Sequence, residues 1–275
     1  MTIYKFSRVV AIPFGLAVLY FLFVAFNDST SSVLVWIIVP VAILILIYLF
    51  QPQIDYWWLV RNPIPLDPKL EKLISKINPQ YRAMNEEDKQ RFENRMLLFV
   101  EAKAFIGKGE DDKDVPYDIK YMIAQAAVSL TWNLKTFLIN PFERIILYKH
   151  PFPSPRFQFL HAYETEVEDG VIIMALDFME KGLFEPDHFY PLLNHCLAEA
   201  FIKAHPAINF PNGGQDFWER YTRMTGFEKE KVLTTLGFKQ MDQSILLLTA
   251  YLTYPERTLA HFPEERQQLQ NLLRA

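Results

Sequence analysis

The first fifty residues carry two long runs of apolar side chains. Residues 9–26 and residues 33–50 each form eighteen uncharged positions in a row. A helix needs about 20 apolar residues to cross the hydrocarbon core of a bilayer, with a range of roughly 17–25. Two buried helices of a soluble domain would need a very large core, and a cleaved signal peptide would explain only the first run. The pattern therefore predicts a two-helix transmembrane hairpin.

The charged residues around these runs indicate how the hairpin is oriented. The linker NDSTSS at residues 27–32 is too short for anything but a tight turn, and its only charge is Asp28. Because short cytoplasmic segments are enriched in lysine and arginine, both termini are predicted to lie in the cytoplasm. The lipid bilayer is then a partner through residues 9–50. The flanking basic residues are Lys5, Arg8, Arg61, Lys69, Lys72 and Lys76.

Composition limits what the rest of the chain can do. The 28 basic and 32 acidic residues are nearly balanced, so nucleic acid is not an expected partner. Cys196 is the only cysteine, which excludes an internal disulfide framework and suits a reducing compartment. We divide the chain into a membrane hairpin at residues 1–60, a linker with a leading helix at 61–77 and a cytoplasmic domain at 78–275.

Helical periodicity dominates the cytoplasmic part. Asn85 is a suitable N-cap for a helix that we expect to run to Gly107, and a second helix lies within residues 115–132. Residues 143–178 are rich in β-branched side chains and contain Asp-Gly between two extended runs, which predicts a small antiparallel sheet. The fold class is therefore α+β and mainly helical. Further helices are predicted at 188–205, 215–225, 228–236, 240–253 and 264–274.

Several segments, in a fixed order, carry a resemblance to one family. They are FENRMLLFVEAKAFIG (92–107), IKYMIAQAAVSLTW (119–132), FERIILYKHPF (142–152), DGVIIMALDFMEKG (169–182) and the closing TAYLTYPERTLAHFPEERQQLQNLL. Over residues 78–274 the chain resembles the Mlc titration factor A (MtfA) family of bacterial zinc-dependent peptidases. The resemblance implies a zincin-like domain behind the hairpin, at the inner (cytoplasmic) membrane. The family's namesake binds a transcriptional repressor, which implies a cytoplasmic protein partner.

The helix that carries the zinc site in this family is altered here. The family motif H-E-x-x-H places two histidine ligands on one helix face, with a glutamate that activates the zinc-bound water. In HCLAEAF the first histidine is kept as His195, but Cys196 stands at the glutamate position and Glu199 at the second histidine. The family's later glutamate ligand falls on Thr249 when Pro255 is used as the anchor. The resemblance therefore implies a degenerate site.

The sequence allows two interpretations of the residues that remain at this site. His195 and Glu199 are four residues apart and share a helix face, so they are candidates for a metal pair, although we favour a hydrogen-bonded pair. Cys196 points about 100° away from His195 and is expected to fill the core rather than act as a nucleophile. A third metal donor would have to come from Asp242, His261, Glu164 or Glu166.

The resulting hypothesis is a membrane-anchored pseudopeptidase that acts as a cytoplasmic protein-binding or regulatory module. No cofactor is expected under this hypothesis, and no catalytic residue is assigned. The alternative is an active metal-dependent peptidase with a site rebuilt around His195 and Glu199, and zinc is expected only in that case. A structural membrane protein whose hairpin pairs with other helices is a third option.

Overall fold

The computed structural model describes residues 5–27, 32–109 and 114–274 and divides them into two compact units. The described residues up to Asp67 form the first unit, and those from Pro68 onwards form the second. Most of the predicted turn at 27–32 lies outside the described residues. The two units are considered separately below.

The first unit consists of three helices, α1 (Phe6–Asn27), α2 (Ser32–Leu49) and α3 (Gln51–Arg61). Helix α1 packs beside α2 and α3, and both the amide and the hydroxyl of Ser7 donate to the Asp55 carboxylate, at 2.8 and 3.0 Å. This carboxylate stabilises the start of α1 because it accepts from a free amide at the positive end of the helix dipole.

Helix α1 is the one described helix that is long and apolar enough by itself to cross a membrane. Helix α2 satisfies the same criterion only together with α3, from which it is bent by 68°. Length and composition of this kind fit both a membrane span and a signal sequence. The structure thus confirms one N-terminal apolar helix, and the two-span hairpin stays a prediction.

The second unit contains most of the helices and all of the described strands. Three helices come first, the four strands lie between α6 and α8 with α7 among them, and the regular elements described after α8 are all helices. The elements are α4 (Pro68–Ile77), α5 (Pro79–Arg82), α6 (Glu86–Ala102), β1 (Ala104–Lys108), α7 (Tyr117–Leu130), β2 (Arg144–Tyr148), β3 (Tyr163–Glu166), β4 (Val171–Ala175), α8 (Leu176–Phe184), α9 (Leu192–Ala204), α10 (Phe217–Thr225), α11 (Lys229–Leu236), α12 (Gln243–Thr253), α13 (Pro255–His261) and α14 (Pro263–Leu272).

The sheet is mixed, which corrects the prediction of a small antiparallel sheet. Its strand order is β1-β2-β4-β3, and the β1–β2 and β2–β4 pairs are parallel. Parallel neighbours need a long crossover connection, and α7 supplies it between β1 and β2. The predicted hairpin around Asp169-Gly170 is confirmed, because β3 and β4 pair antiparallel. Strand β3 therefore forms one edge of the sheet.

Helix α6 begins where it was predicted but ends earlier. Asn85 caps it by accepting from the amide of Asp88 at 2.8 Å. The helix stops at Ala102 because Lys103 is extended, with φ −109° and ψ 139°, and its ammonium donates to the carbonyl of Phe142. Burial lowers the pKa of this lysine to about 8. The predicted continuation to Gly107 was wrong, since those residues form β1 and pair with β2.

Helix α9 lies at the centre of the second unit. It packs against α7, α8, α12, β3 and β4. Gly182 on α8 makes the approach of α8 to α9 possible, because a Cβ there would lie 2.1 Å from the carbonyl oxygen of Tyr190. The helix that carries His195 is therefore enclosed on several sides, and its polar side chains are buried with it.

Candidate functional site

The predicted site residues of α9 are all buried. His195 and Cys196 are 0% exposed, and Glu199 is 8% exposed. The apolar side chains of the same helix hold it in the core and so fix the polar ones there. These apolar residues are Leu192, Leu193, Leu197 and Phe201.

Tyrosines from two other segments hold the His195 imidazole. The hydroxyl of Tyr190 lies 2.7 Å from Nδ1 and shares a hydrogen bond with it. The ring of Tyr163 from β3 packs edge-on against the imidazole, with the centroids 4.6 Å apart. Burial lowers the pKa of His195 to about 4, although Glu199 acts in the opposite direction. The imidazole is therefore neutral at neutral pH.

Glu199 is held by a lysine one helical turn further along. Its Oε1 lies 2.6 Å from the ammonium of Lys203, which also donates to the carbonyl and the hydroxyl of Thr165, at 2.8 and 2.9 Å. Burial alone would raise the pKa of Glu199, but the neighbouring Lys203 and His195 hold it below its usual range. The carboxylate is thus ionised, and Lys203 ties α9 to β3 across the site.

Two polar atoms in the site face each other without a hydrogen bond. They are His195 Nε2 and Glu199 Oε2, which are 3.9 Å apart. Among the residues that the structure describes, both are buried and lack a hydrogen bond of ordinary geometry, although the Tyr163 side chain is close enough to the Glu199 carboxylate to help to lower its pKa. Unpaired buried polar atoms cost free energy, so this pair is the feature of the site that most calls for a chemical explanation.

Cys196 and Thr249 do not act as ligands in this arrangement. Burial raises the pKa of the Cys196 thiol well above its ordinary value, which keeps it protonated and unreactive. Thr249 on α12 is fully buried, and its hydroxyl donates to the carbonyl of Ile245 in its own helix at 2.7 Å. These two positions therefore lack a carboxylate that could hold a metal ion or accept a proton from water.

The candidate third donors do not complete a metal site. Within the described ranges, no group of three or more histidine, cysteine, aspartate or glutamate side chains could hold a metal ion. Asp242 caps α12 through the amide of Ser244 at 2.8 Å, and Glu166 pairs with Arg156. Glu164 faces a different histidine, His161, with Oε2 3.5 Å from Nε2. His261 lies at the end of α13.

The donor set does not fit the zinc site of a peptidase. Catalytic zinc is held by three protein ligands at about 2.0–2.3 Å. Here two donors face each other, and the second oxygen of Glu199 already binds an ammonium ion. A lysine cation beside a ligand carboxylate opposes the binding of a second cation through charge repulsion.

A cavity opens beside the pair. It has a volume of about 510 Å³ and lies between β3 and the segment 238–245. Its wall includes Glu199 and Lys203, together with cationic and acidic side chains from other elements. Those other charged residues are Arg156, Glu164 and Asp242. The site therefore borders a cavity with charged walls and is not enclosed in a purely apolar core.

Comparison with known families identifies part of the chain. Residues 56–176 match the family described as glucose-regulated metallo-peptidase M90, the family of MtfA. The similarity to this family covers that stretch, which is less than half of the chain. None of the curated proteins matches the chain. M90 peptidases are normally zinc-dependent. The M90 match ends at the start of α8, so α9 and the residues around His195 lie beyond it.

The structure also shows residues that the sequence interpretation missed. The contact of Lys203 could have been predicted from the sequence, because a glutamate four residues before a lysine on a helix forms an ion pair. The contacts of Tyr163 and Tyr190 could not have been predicted, since these residues lie on a strand and a loop at no fixed spacing from His195. The M90 family match does not reach any of these positions except Tyr163.

Proposed function

We propose that this chain is a membrane-anchored relative of the M90 peptidases that does not hydrolyse peptides by the family mechanism. In this proposal the α9 region serves as a cytoplasmic protein-binding or regulatory module. The observation that carries it is the ion pair of Glu199 with Lys203: the residue at the position of the family's second histidine ligand is already bound to a side-chain ammonium.

The chemistry of the site supports this proposal. A positioned general base typically contributes about 10²–10⁴-fold to a rate, and the buried thiol of Cys196 is no substitute for it. Zinc affinity depends on ligand number and type, and two of the family's three ligand positions hold Glu199 and Thr249. Lys203 supplies the positive charge that stabilises the carboxylate without any bound ion.

Metal analysis of the full chain in lipid nanodiscs tests the proposal. We expect zinc well below one equivalent per chain after exposure to excess zinc and dialysis. Cleavage of a fluorogenic peptide library should equal that of a His195→Ala variant. One tightly held zinc per chain, with cleavage that the His195→Ala variant loses, would defeat the proposal.

A second candidate is favoured by the unpaired atoms of His195 and Glu199. Their separation of 3.9 Å would need only a small adjustment for both to contact one ion. Under this alternative the chain is an active metal-dependent peptidase with a rebuilt site. The same metal analysis distinguishes the two candidates, and a Lys203→Ala variant should bind metal more tightly only under the alternative.

The membrane anchor is part of the proposal as well. Helix α1, and α2 with it, would form the hairpin, with the second unit in the cytoplasm. The exposed apolar side chains of α1 support contact with a membrane, and the basic residues on both flanks support this orientation. Fusion of alkaline phosphatase to either terminus should give inactive enzyme, and an active fusion would refute the orientation.

A further inference from the structure

A second cavity lies in the second unit, and its lining includes neither His195 nor Glu199. It has a volume of about 460 Å³, which is within the range of small-molecule sites. Its walls are mainly apolar, and several aromatic rings face it. The apolar wall residues include Phe178, Phe189, Tyr190, Phe227 and Leu160.

The mouth of this cavity exposes large apolar side chains. Leu160 is 67% exposed and Phe189 is 41% exposed, although both are large and apolar. Single exposed apolar residues are common, but two on the rim of an apolar cavity indicate a binding surface. Gly237 lies against the backbone of residues 160–161 and so fixes one side of the rim. A Cβ at position 237 would lie 2.5 Å from the carbonyl oxygen of Leu160, so this contact needs a glycine.

The charges on this rim all have one sign. Lys181 and Lys231 line the cavity, and none of the described residues that line it is acidic. Each ammonium lies over an aromatic ring of the wall, Lys181 over Phe189 at 5.8 Å and Lys231 over Phe227 at 5.4 Å. Neither lysine has a carboxylate within ion-pair distance among the described side chains. The cavity thus combines an apolar interior with two cations that form no ion pair with the side chains described in the structure.

We propose that this cavity binds a long-chain carboxylate, with the hydrocarbon chain inside and the carboxylate between Lys181 and Lys231. The apolar wall gains free energy by removing the hydrocarbon from water. The two ammonium groups distinguish a carboxylate from an uncharged molecule of the same shape, because only the anion gains from the charge. An apolar ligand with a cationic head is disfavoured by the same lysines.

Such a ligand would also be connected to the candidate site through Tyr190. Tyr190 lines the cavity, and its hydroxyl is hydrogen-bonded to Nδ1 of His195. Movement of this tyrosine on binding would therefore reach the imidazole. The binding proposal itself stands on the cavity and does not depend on whether the α9 site is active.

Photolabelling of the full chain in nanodiscs of zwitterionic lipid tests the proposal. The probe is dodecanoate with a diazirine near the end of its chain, and labelled peptides are mapped by mass spectrometry. We expect labels on the segments that line the cavity, with competition by unlabelled dodecanoate stronger than by dodecanol. Labels confined to α1 and α2, or equal competition by the alcohol, would overturn the proposal.

Two variants make the test specific. Lys181→Gln combined with Lys231→Gln should lower labelling by roughly three- to tenfold, the size expected for two partly exposed charge contacts. The matched control is Lys229→Gln with Lys239→Gln, which removes the same charge from residues outside the cavity and should label like the unaltered chain. Equal losses in both double variants would show a general charge effect and overturn the proposal.

A third variant tests the interior of the cavity. Thr234→Trp replaces an exposed wall residue on α11 by a large ring and should abolish labelling by the acid and the alcohol alike. Circular dichroism verifies that it folds; if it does not, the lysine variants decide the matter alone. A further experiment uses anionic nanodiscs that contain a diazirine phospholipid. If this lipid labels the same segments and dodecanoate does not compete, the surface docks onto the membrane and the proposal is overturned.

Discussion

At the scale of single residues, Lys203 is the contact that makes the buried Glu199 carboxylate tolerable. We expect Lys203→Met to destabilise the second unit by about 2 kcal/mol, since it leaves an ionised carboxylate in the core with one of its oxygens newly unpaired. For a unit of this size, that loss corresponds to a fall of roughly 4–8 °C in the thermal midpoint. Circular dichroism melts of the full chain measure it.

Two further variants test whether the ion pair is the cause. Lys239→Met changes an exposed lysine outside the site and should leave the midpoint unaltered. Glu199→Gln in the Lys203→Met background removes the unpaired charge and should recover part of the loss. A Lys203→Met variant that melts like the unaltered chain would contradict the role assigned to this lysine.

His195 gives the second unit a definite dependence on pH. Its pKa in the folded state is about 4, below the ordinary 6.5, because burial disfavours the charged imidazole. Between these values the unfolded chain binds a proton that the folded chain does not, so stability rises with pH across that window. Acidification from pH 6.5 to pH 4 should therefore cost up to about 3 kcal/mol through this group.

The lowered pKa of Glu199 also makes the folded state less stable in acid. The folded state stabilises the ionised carboxylate, and this stabilisation is lost when the carboxylate is protonated. Comparison with His195→Gln separates the two contributions, since only the imidazole titration disappears. Thermal midpoints measured from pH 4 to pH 7 should change less steeply in this variant. Parallel curves for the two proteins would rule out a depressed imidazole pKa.

At the scale of elements, the junction of α8 and α9 sets the geometry of the site. Gly182 lets α8 approach the backbone of Tyr190, whose hydroxyl then reaches the imidazole of His195. Gly182→Ala places a Cβ within 2.1 Å of the Tyr190 carbonyl oxygen, so the two segments must separate. We expect a loss of roughly 2–3 kcal/mol, as for overpacked cores.

The control for this prediction is Gly109→Ala, because a Cβ at Gly109 meets nothing within 4 Å. Thermal melts of both variants should show a large shift for Gly182→Ala and almost none for Gly109→Ala. Ultraviolet difference spectra of the buried tyrosines should also change in Gly182→Ala. Equal midpoints for the two variants would show that α8 and α9 do not need this close contact.

The elements differ in how far local sequence determines them. Helix α9 and the β3–β4 hairpin were predictable, because the first has a strong apolar period and the second an Asp-Gly turn. Strand β1 was not, since Ala104–Lys108 continues the apolar pattern of α6 and becomes a strand only through pairing with β2. The pair of His195 with Glu199 followed from helical spacing, whereas the contacts of Tyr163 and Tyr190 depend on tertiary packing.

At the scale of the whole molecule, the site depends on three elements that the fold brings together. Helix α9 packs against both β3 and α12, and Asn194 donates to the hydroxyl of Thr253 at 2.9 Å across the α9–α12 contact. Positions 195 and 199 on α9 and position 249 on α12 therefore belong to helices that pack together. Under the proposed function, the altered donors alone keep zinc from this site, so restoring them should be sufficient for zinc binding.

The variant that tests this combines Glu199→His and Thr249→Glu, with Cys196→Glu added to supply the general base. Together with His195 it presents three metal donors, and we expect about one zinc per chain where the unaltered protein holds far less. Metal analysis after dialysis gives the stoichiometry, and a zinc-dependent rise in thermal midpoint confirms binding to the folded state. Adding His195→Ala should abolish both effects. A rebuilt chain that folds but gains no zinc would place Thr249 out of reach of α9, and the assignment of this position to the family's third ligand would then be wrong.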